Sequence, residues 1–153
     1  TLSTVGVAKG IRRLADDQVK FNLALSLHSG REEVRKKIMP FTEHNPLDQL
    51  KDALKYWHGK TGTNVTYEYV VWEGVNDKDI DIDALLEFCR LVPSKVNLIQ
   101  YNSIDDPRFI PAGEAVIQRY VQRLESEGVV VKIRRSRGQD IDAACGQLAN
   151  KEG

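Results

Sequence analysis

Four times along this chain an apolar, strand-like run gives way to a stretch with helical spacing. That alternation restricts the fold more than any other feature. In "FNLALSLH" (21–28), Phe21, Leu23, Leu25 and Leu27 alternate with Asn22, Ala24, Ser26 and His28, the two-residue period of a strand. "NPLDQLKDALKYWHGKTG" (45–62) then spaces Leu47, Leu50, Leu54 and Trp57 as a helix would, with Pro46 suited to its first turn and Gly59 or Gly62 to its end. "NVTYEYVVW" (64–72) is β-branched and aromatic, hence a strand. "DIDALLEFCRLV" (81–92) is amphipathic through Ile82, Leu85, Leu86 and Cys89. A strand "KVNLIQY" (95–101), a helix "GEAVIQRYVQRLESEG" (113–128) stopped by Gly128, and a strand "VVVKIRR" (129–135) complete the series. With Thr1–Leu2 read as a strand end and "GIRRLADD" as a helix, the order is β-α-β-α-β-α-β-α-β, which predicts a parallel sheet with right-handed crossovers.

The 153 residues suit one ordinary domain, and no linker, repeat or low-complexity segment divides them. Hydrophobic residues make up 41% and charged residues 29%, which describes a globular chain rather than a disordered one. No apolar run is long enough to span a bilayer, and no stretch resembles a signal peptide. The two cysteines, far apart and unlike in surroundings, offer neither a disulfide framework nor paired metal-ligand spacing, so a reducing, cytoplasmic setting is expected. "TLSTVG" at the start, without an initiator methionine, reads as the end of a strand; the expectation is a fragment of a longer protein.

Zero net charge argues against indiscriminate binding of nucleic acid, yet "KIRRSR" gathers four positive residues in six. Such a local patch can hold phosphates at one site or serve as a solvated strand end, and composition leaves both open.

Parallel α/β folds place their working residues at the carboxyl edge of the sheet. Those edges supply Ser3 and Thr4, Ser26 and His28, Glu73 with "GVND", and Asn102 with Ser103. A ring of short hydrogen-bonding groups suits an uncharged or zwitterionic small ligand better than a metal. The histidines His28, His44 and His58 fall on different elements without ligand spacing, so no metal site is expected from this chain. Asn97 reads as a local structural group.

Cys89 lies on the apolar face of a helix and is assigned to the core. Cys145 sits between Gly138 and Gly146 after Arg134, Arg135 and Arg137, and positive neighbours favour the nucleophilic thiolate. Spacing alone leaves it either a packing residue or a nucleophile on a loop.

Taken in order, "LSTVG", "LALSLH", "VTYEYVVWEGVND", "KVNLIQYN" and "RRSRGQDIDAACGQL" resemble the C-terminal part of the radical-SAM 23S rRNA adenine methyltransferases, the RlmN/Cfr family. The resemblance covers essentially the whole chain, and "RGQDIDAACGQL" is its most specific piece. It implies a partial (β/α) TIM-type barrel of the radical-SAM superfamily, a parallel sheet with helices outside. Residues 1–153 would be the C-terminal portion of that core together with its catalytic-cysteine segment. It implies that Cys145 accepts a methyl group from one S-adenosylmethionine. A second S-adenosylmethionine, cleaved on a [4Fe–4S] cluster fed by an electron donor, would give a radical that activates this S-methyl for addition to adenine C2. It further implies that Ser3, Ser26, Leu27, His28 and Asn102 contact S-adenosylmethionine, and that Arg134, Arg135 and Arg137 meet RNA phosphates. The substrate would be 23S rRNA, with tRNA open as a second.

The family's cluster-binding CxxxCxxC motif, its glycine-glutamate-proline stretch and its second, resolving cysteine are absent from this sequence. The expectation is therefore that the chain alone does not turn over, and that its open sheet edge invites self-association. Gln100 stands where proline is usual, ahead of an acidic loop. Cfr-type methylation at C8, and a non-catalytic RNA-binding module, remain alternative readings.

Overall fold

Each strand pairs with the strand before it in sequence, and every pairing is parallel. The computed structural model describes residues 2–4, 8–17, 22–40, 46–101 and 110–136, with the backbone alone at 2–4, 101, 135 and 136. Among these, the order is β1 (Leu2–Thr4), α1 (Ala8–Asp16), β2 (Leu23–Ser26), α2 (Glu32–Ile38), α3 (Leu47–Thr61), β3 (Val65–Val70), α4 (Asp79–Leu91), β4 (Ser94–Tyr101), α5 (Glu114–Ser126) and β5 (Val130–Ser136). The sheet runs β1-β2-β3-β4-β5, with β1 and β5 at its edges. The expected parallel α/β architecture is present.

One element goes beyond the expectation, the short helix α2. Its sequence, EEVRKKI, has acidic residues in the first turn and basic ones in the last, a charge order that suits the helix dipole. With only Val34 and Ile38 apolar, it has too little periodicity to announce itself. Elsewhere the punctuation reads as expected. Gly62 caps α3 in the left-handed region at φ 70°, and Gly128 follows α5 at φ 80°. Pro46 stands just ahead of α3 at its N-cap position.

Register fixes the two faces. Leu25, Tyr67 and Val96 are partners across β2, β3 and β4, and Tyr69 pairs with Leu98. All five are fully buried, and they form one core with Ile11, Leu50, Leu54, Trp57, Leu85, Phe88, Ile117, Tyr120 and Leu124 from the helices. Tyr67 meets Phe88 edge-on with ring centroids 5.9 Å apart, and its hydroxyl donates to the Phe88 carbonyl at 2.9 Å. Burial pushes the Tyr67 phenol far up, so it stays protonated as that donor. Helices α1, α3, α4 and α5 thus lie against one face of the sheet, while Ile38 of α2 packs with Val70 and Trp72.

The loop after β2 is pinned to α4. Arg31 reaches the fully buried Asp81 carboxylate at 3.1 Å, and Asp81 also accepts the Lys78 amide at 3.1 Å, capping α4. Beside this contact, a Cβ on Gly30 would fall 2.7 Å from the Ala84 carbonyl oxygen and 2.8 Å from its carbon. Backbone atoms of a helix cannot rotate away, so Gly30→Ala is expected to cost about 1–3 kcal/mol in urea denaturation. A variant as stable as the parent would contradict this close approach.

Candidate functional site

The other face of the sheet carries polar side chains beside a small apolar cluster around Val70, Trp72 and Ile99. Ser26 on β2 registers with Glu68 on β3, Glu68 with Asn97 on β4, and Asn97 with Lys132 on β5. Parallel partners project to the same side, so these four side chains form a row across the sheet. The row below contains Ala24, Thr66 and Lys95; the row above, toward the carboxyl edge, contains Val70, Ile99 and Arg134. Arg134 Nη1 lies 3.6 Å from Glu68 Oε1. Glu68 Oε2 is shielded from solvent and has no hydrogen-bond partner among the described residues. An orphaned carboxylate oxygen calls for a donor.

At the carboxyl edge, the segment Ser26–Leu27–His28 is held by its backbone. The Leu27 amide continues the ladder to the Glu68 carbonyl at 3.0 Å. Arg35, buried in α2, donates from Nε to the Leu27 carbonyl at 3.2 Å and from Nη2 to the Ser26 carbonyl at 3.4 Å. Burial pulls the Arg35 guanidinium down to about 10, opposed by Glu32, and it stays charged at neutral pH.

His28 follows with φ 56°, a conformation that a side chain with a Cβ rarely adopts. Its imidazole is buried, and Nδ1 accepts the Val70 amide at 3.0 Å. Its carbonyl accepts Nδ2 of Asn76 at 2.7 Å. Burial first, and the Arg35 charge second, pull the imidazole down to about 3, so it is neutral in the physiological range. A neutral ring that accepts at Nδ1 carries its proton on Nε2.

Of the expected cofactor contacts, the structure thus gathers Ser26, Leu27 and His28 at one edge. Ser3 lies on the neighbouring β1, pairing with Ala24, with its backbone alone described. Asn102 and Cys145 lie outside the described residues. Among the expected RNA contacts, Arg134 is exposed on β5 beside Glu68, Arg135 is described in its backbone, and Arg137 lies outside. Glu73, at the next edge, is exposed. Cys89 packs against the core, and burial pushes its thiol up to about 11, the state of an inert cysteine.

Thr66, Glu68 and Asn97 were not read as site residues from sequence. The signal was available, because the period of two that sends Tyr67 and Tyr69 to the helices sends Thr66 and Glu68 to the opposite face. Among the described residues, no group of three His, Cys, Asp or Glu could hold a metal, and no helix is long and apolar enough to cross a membrane.

No family model matches the chain. It is 59% identical over 152 residues to a protein from Flavobacterium psychrophilum named probable dual-specificity RNA methyltransferase RlmN, covering 99% of this chain and 44% of that protein. A protein of the same name from Thermus thermophilus is 40% identical over 151 residues, at 99% and 42% coverage. The crystal structure of a radical SAM methyltransferase from Sphaerobacter thermophilus superposes with a TM-score of 0.79 at 36% identity, over 95% of this chain and 42% of that one. A domain of pyruvate-formate lyase-activating enzyme from Bacteroides vulgatus shares the fold at 18% identity, with a TM-score of 0.65. The chain therefore spans less than half the length of the curated relatives it matches. Its parallel sheet has the partial TIM-barrel fold of the radical-SAM enzymes, and over nearly its whole length its sequence matches one portion of the proteins named RlmN.

Proposed function

We propose that residues 1–153 form the cofactor-contacting and cysteine-bearing portion of a radical-SAM RNA methyltransferase acting on C2 of an adenine in 23S rRNA, with tRNA open as a second substrate. The observation that carries this reading is the 59–60% identity to RlmN-named proteins across 99% of the chain.

The polar face suits S-adenosylmethionine in kind. That molecule brings an ammonium and ribose hydroxyls as donors and a carboxylate as acceptor. Glu68 Oε2 has no donor among the described residues, the Ser26 hydroxyl stands in the same row, and His28 offers an Nε2 proton. Ser26, Leu27 and His28, with Ser3 and Asn102, are the proposed contacts. Among the described residues no set of ligands for a [4Fe–4S] cluster is present. When bound to the full-length enzyme, the cluster would supply the single electron, drawn from a cellular donor, that radical cleavage of S-adenosylmethionine requires.

The step assigned to this chain is polar. The Cys145 thiolate attacks the methyl carbon of S-adenosylmethionine; the Sγ–CH3 bond forms, the sulfonium–CH3 bond breaks, and S-adenosylhomocysteine leaves. The carbon that reaches adenine is then the one held on Cys145. Arg134, Arg135 and Arg137, ahead of it in sequence, are proposed to meet RNA phosphates, where salt would weaken them together.

The test is chemical. The full-length gene is expressed in cells lacking an enzyme of this kind, and the methyl group in their 23S rRNA and tRNA is located by mass spectrometry. A methyl at adenine C2 is expected. Methylation at C8 would move the protein to the Cfr-type reading, and RNA binding without methylation would favour a binding module.

A further inference from the structure

We propose that Asn76 is a positioning residue for the cofactor contacts, clamping the His28 end of the Ser26–Leu27–His28 segment to the end of β3. This rests on the reading that the segment contacts S-adenosylmethionine.

Asn76 is fully buried in the turn after β3, and its side chain makes three hydrogen bonds in three directions, both amide donors included. Nδ2 donates to the His28 carbonyl at 2.7 Å and to the Val70 carbonyl at 2.8 Å, while Oδ1 accepts the Trp72 amide at 2.6 Å. The Trp72 amide needs an acceptor and the two carbonyls need donors, so only one orientation of the amide satisfies all three. The backbone of Asn76 is held in turn. The Tyr120 hydroxyl, from α5, donates to its carbonyl at 2.5 Å, which leaves the Tyr69 hydroxyl, 3.0 Å away, as donor to Tyr120. A chain of bonds thus runs from the helix layer, through Asn76, to the carbonyl of a residue on the carboxyl edge.

The clamp has a specific task. His28 is held at φ 56°, where a residue with a Cβ is strained. Two bonds oppose relaxation, Asn76 on its carbonyl and the Val70 amide on Nδ1, and Asn76 grips the Val70 carbonyl as well. The same residue therefore fixes both the backbone that turns at His28 and the strand whose amide selects the imidazole tautomer. With Arg35 on the Ser26 and Leu27 carbonyls, all three carbonyls of the segment already accept protein donors. The side-chain groups that the segment still offers are weighted toward donors, the Ser26 hydroxyl and His28 Nε2–H. It is thereby matched to acceptor atoms of the cofactor, its carboxylate, ribose oxygens or ring nitrogens.

The test uses the full-length protein as wild type, Asn76→Ala and Tyr120→Phe. Labelled S-adenosylmethionine binding is measured by equilibrium dialysis, and the His28 tautomer by long-range 1H–15N spectra. Wild type should show the Nε2–H tautomer alone. Asn76→Ala should weaken binding at least tenfold and give mixed tautomers. Tyr120→Phe, which keeps the ring and loses only the hydroxyl, should weaken binding several-fold in a protein that melts as one cooperative unit. With saturating cofactor, turnover of Tyr120→Phe should return toward wild type, a KM effect that general loosening would not give. Wild-type affinity in folded Asn76→Ala, or in Tyr120→Phe should Asn76→Ala not fold, overturns the proposal. A wild type that binds no S-adenosylmethionine instead overturns the functional reading beneath it.

Discussion

Replacing Cys145 by alanine in the full-length enzyme is expected to abolish adenine methylation, lowering turnover by at least roughly three orders of magnitude, the scale on which loss of a covalent nucleophile acts. Adenine C2 is an electron-poor carbon, so it does not attack a sulfonium methyl group as a ring nitrogen would. The carbon must first be held on the protein, and a thiolate is the side chain suited to take it. Alanine offers no acceptor, and serine, with a far weaker nucleophile, should fail as well. S-adenosylmethionine binding should be kept, because Ser26, Leu27 and His28 are untouched. The measurement is methyl incorporation into 23S rRNA under anaerobic conditions, beside cofactor affinity. A Cys145→Ala enzyme that still places a methyl at C2 would remove Cys145 from the mechanism.

Acid should weaken the fold through His28. Its folded-state value lies near 3, and an unfolded histidine titrates near the ordinary 6.5. Below 6.5 the unfolded chain binds a proton that the folded chain refuses, so stability rises with pH in this range and is fully present above it. The slope approaches about 1.4 kcal/mol per pH unit for one group, hence a loss of about 3 kcal/mol between pH 7 and pH 4. Carboxylates also titrate toward the acid end, and the His28→Gln variant separates them. Urea denaturation at pH 7, 6, 5 and 4 should give a steeper decline for wild type than for the variant. Parallel curves would mean that His28 can charge in place, against the geometry of its Val70 bond.

Why the fold was legible and the site only partly so can be argued from single residues. Leu23, Leu25 and Leu27, and again Val65, Tyr67 and Tyr69, repeat every second position because a helix layer covers one face, and hydrophobic burial writes that period into sequence directly. Gly62 is legible because the left-handed cap it occupies disfavours almost any other residue. The role of Asn76 is not legible. An asparagine in "GVND" reads as a turn former, and nothing local says that its amide meets a carbonyl 48 positions earlier. His28 was noticed for its place at the end of an apolar strand, yet its tautomer depends on an amide of β3. Glu68 is not legible either, because a single acid in an aromatic strand is conspicuous only once its neighbours Ser26 and Asn97 are known. Bonds between distant segments are the part that a linear pattern withholds. The cofactor roles of Ser3, Ser26, Leu27, His28 and Asn102 and the chemistry of Cys145 rest on resemblance rather than on any pattern within the chain.

The spatial order of the strands, identical to their order in the chain, has a consequence for how the protein is made. As a ribosome releases the polypeptide, each new strand finds its partner already displayed, one crossover behind it. Leu23 joins Leu2, Ser94 joins Val65 and Val130 joins Lys95, so no pairing waits for a distant segment still to be synthesised. Closing loops of this size carries a modest entropy cost that grows only with the logarithm of their length. Such a sheet can assemble vectorially, each addition offering a fresh edge to the next and a growing apolar face to its helix.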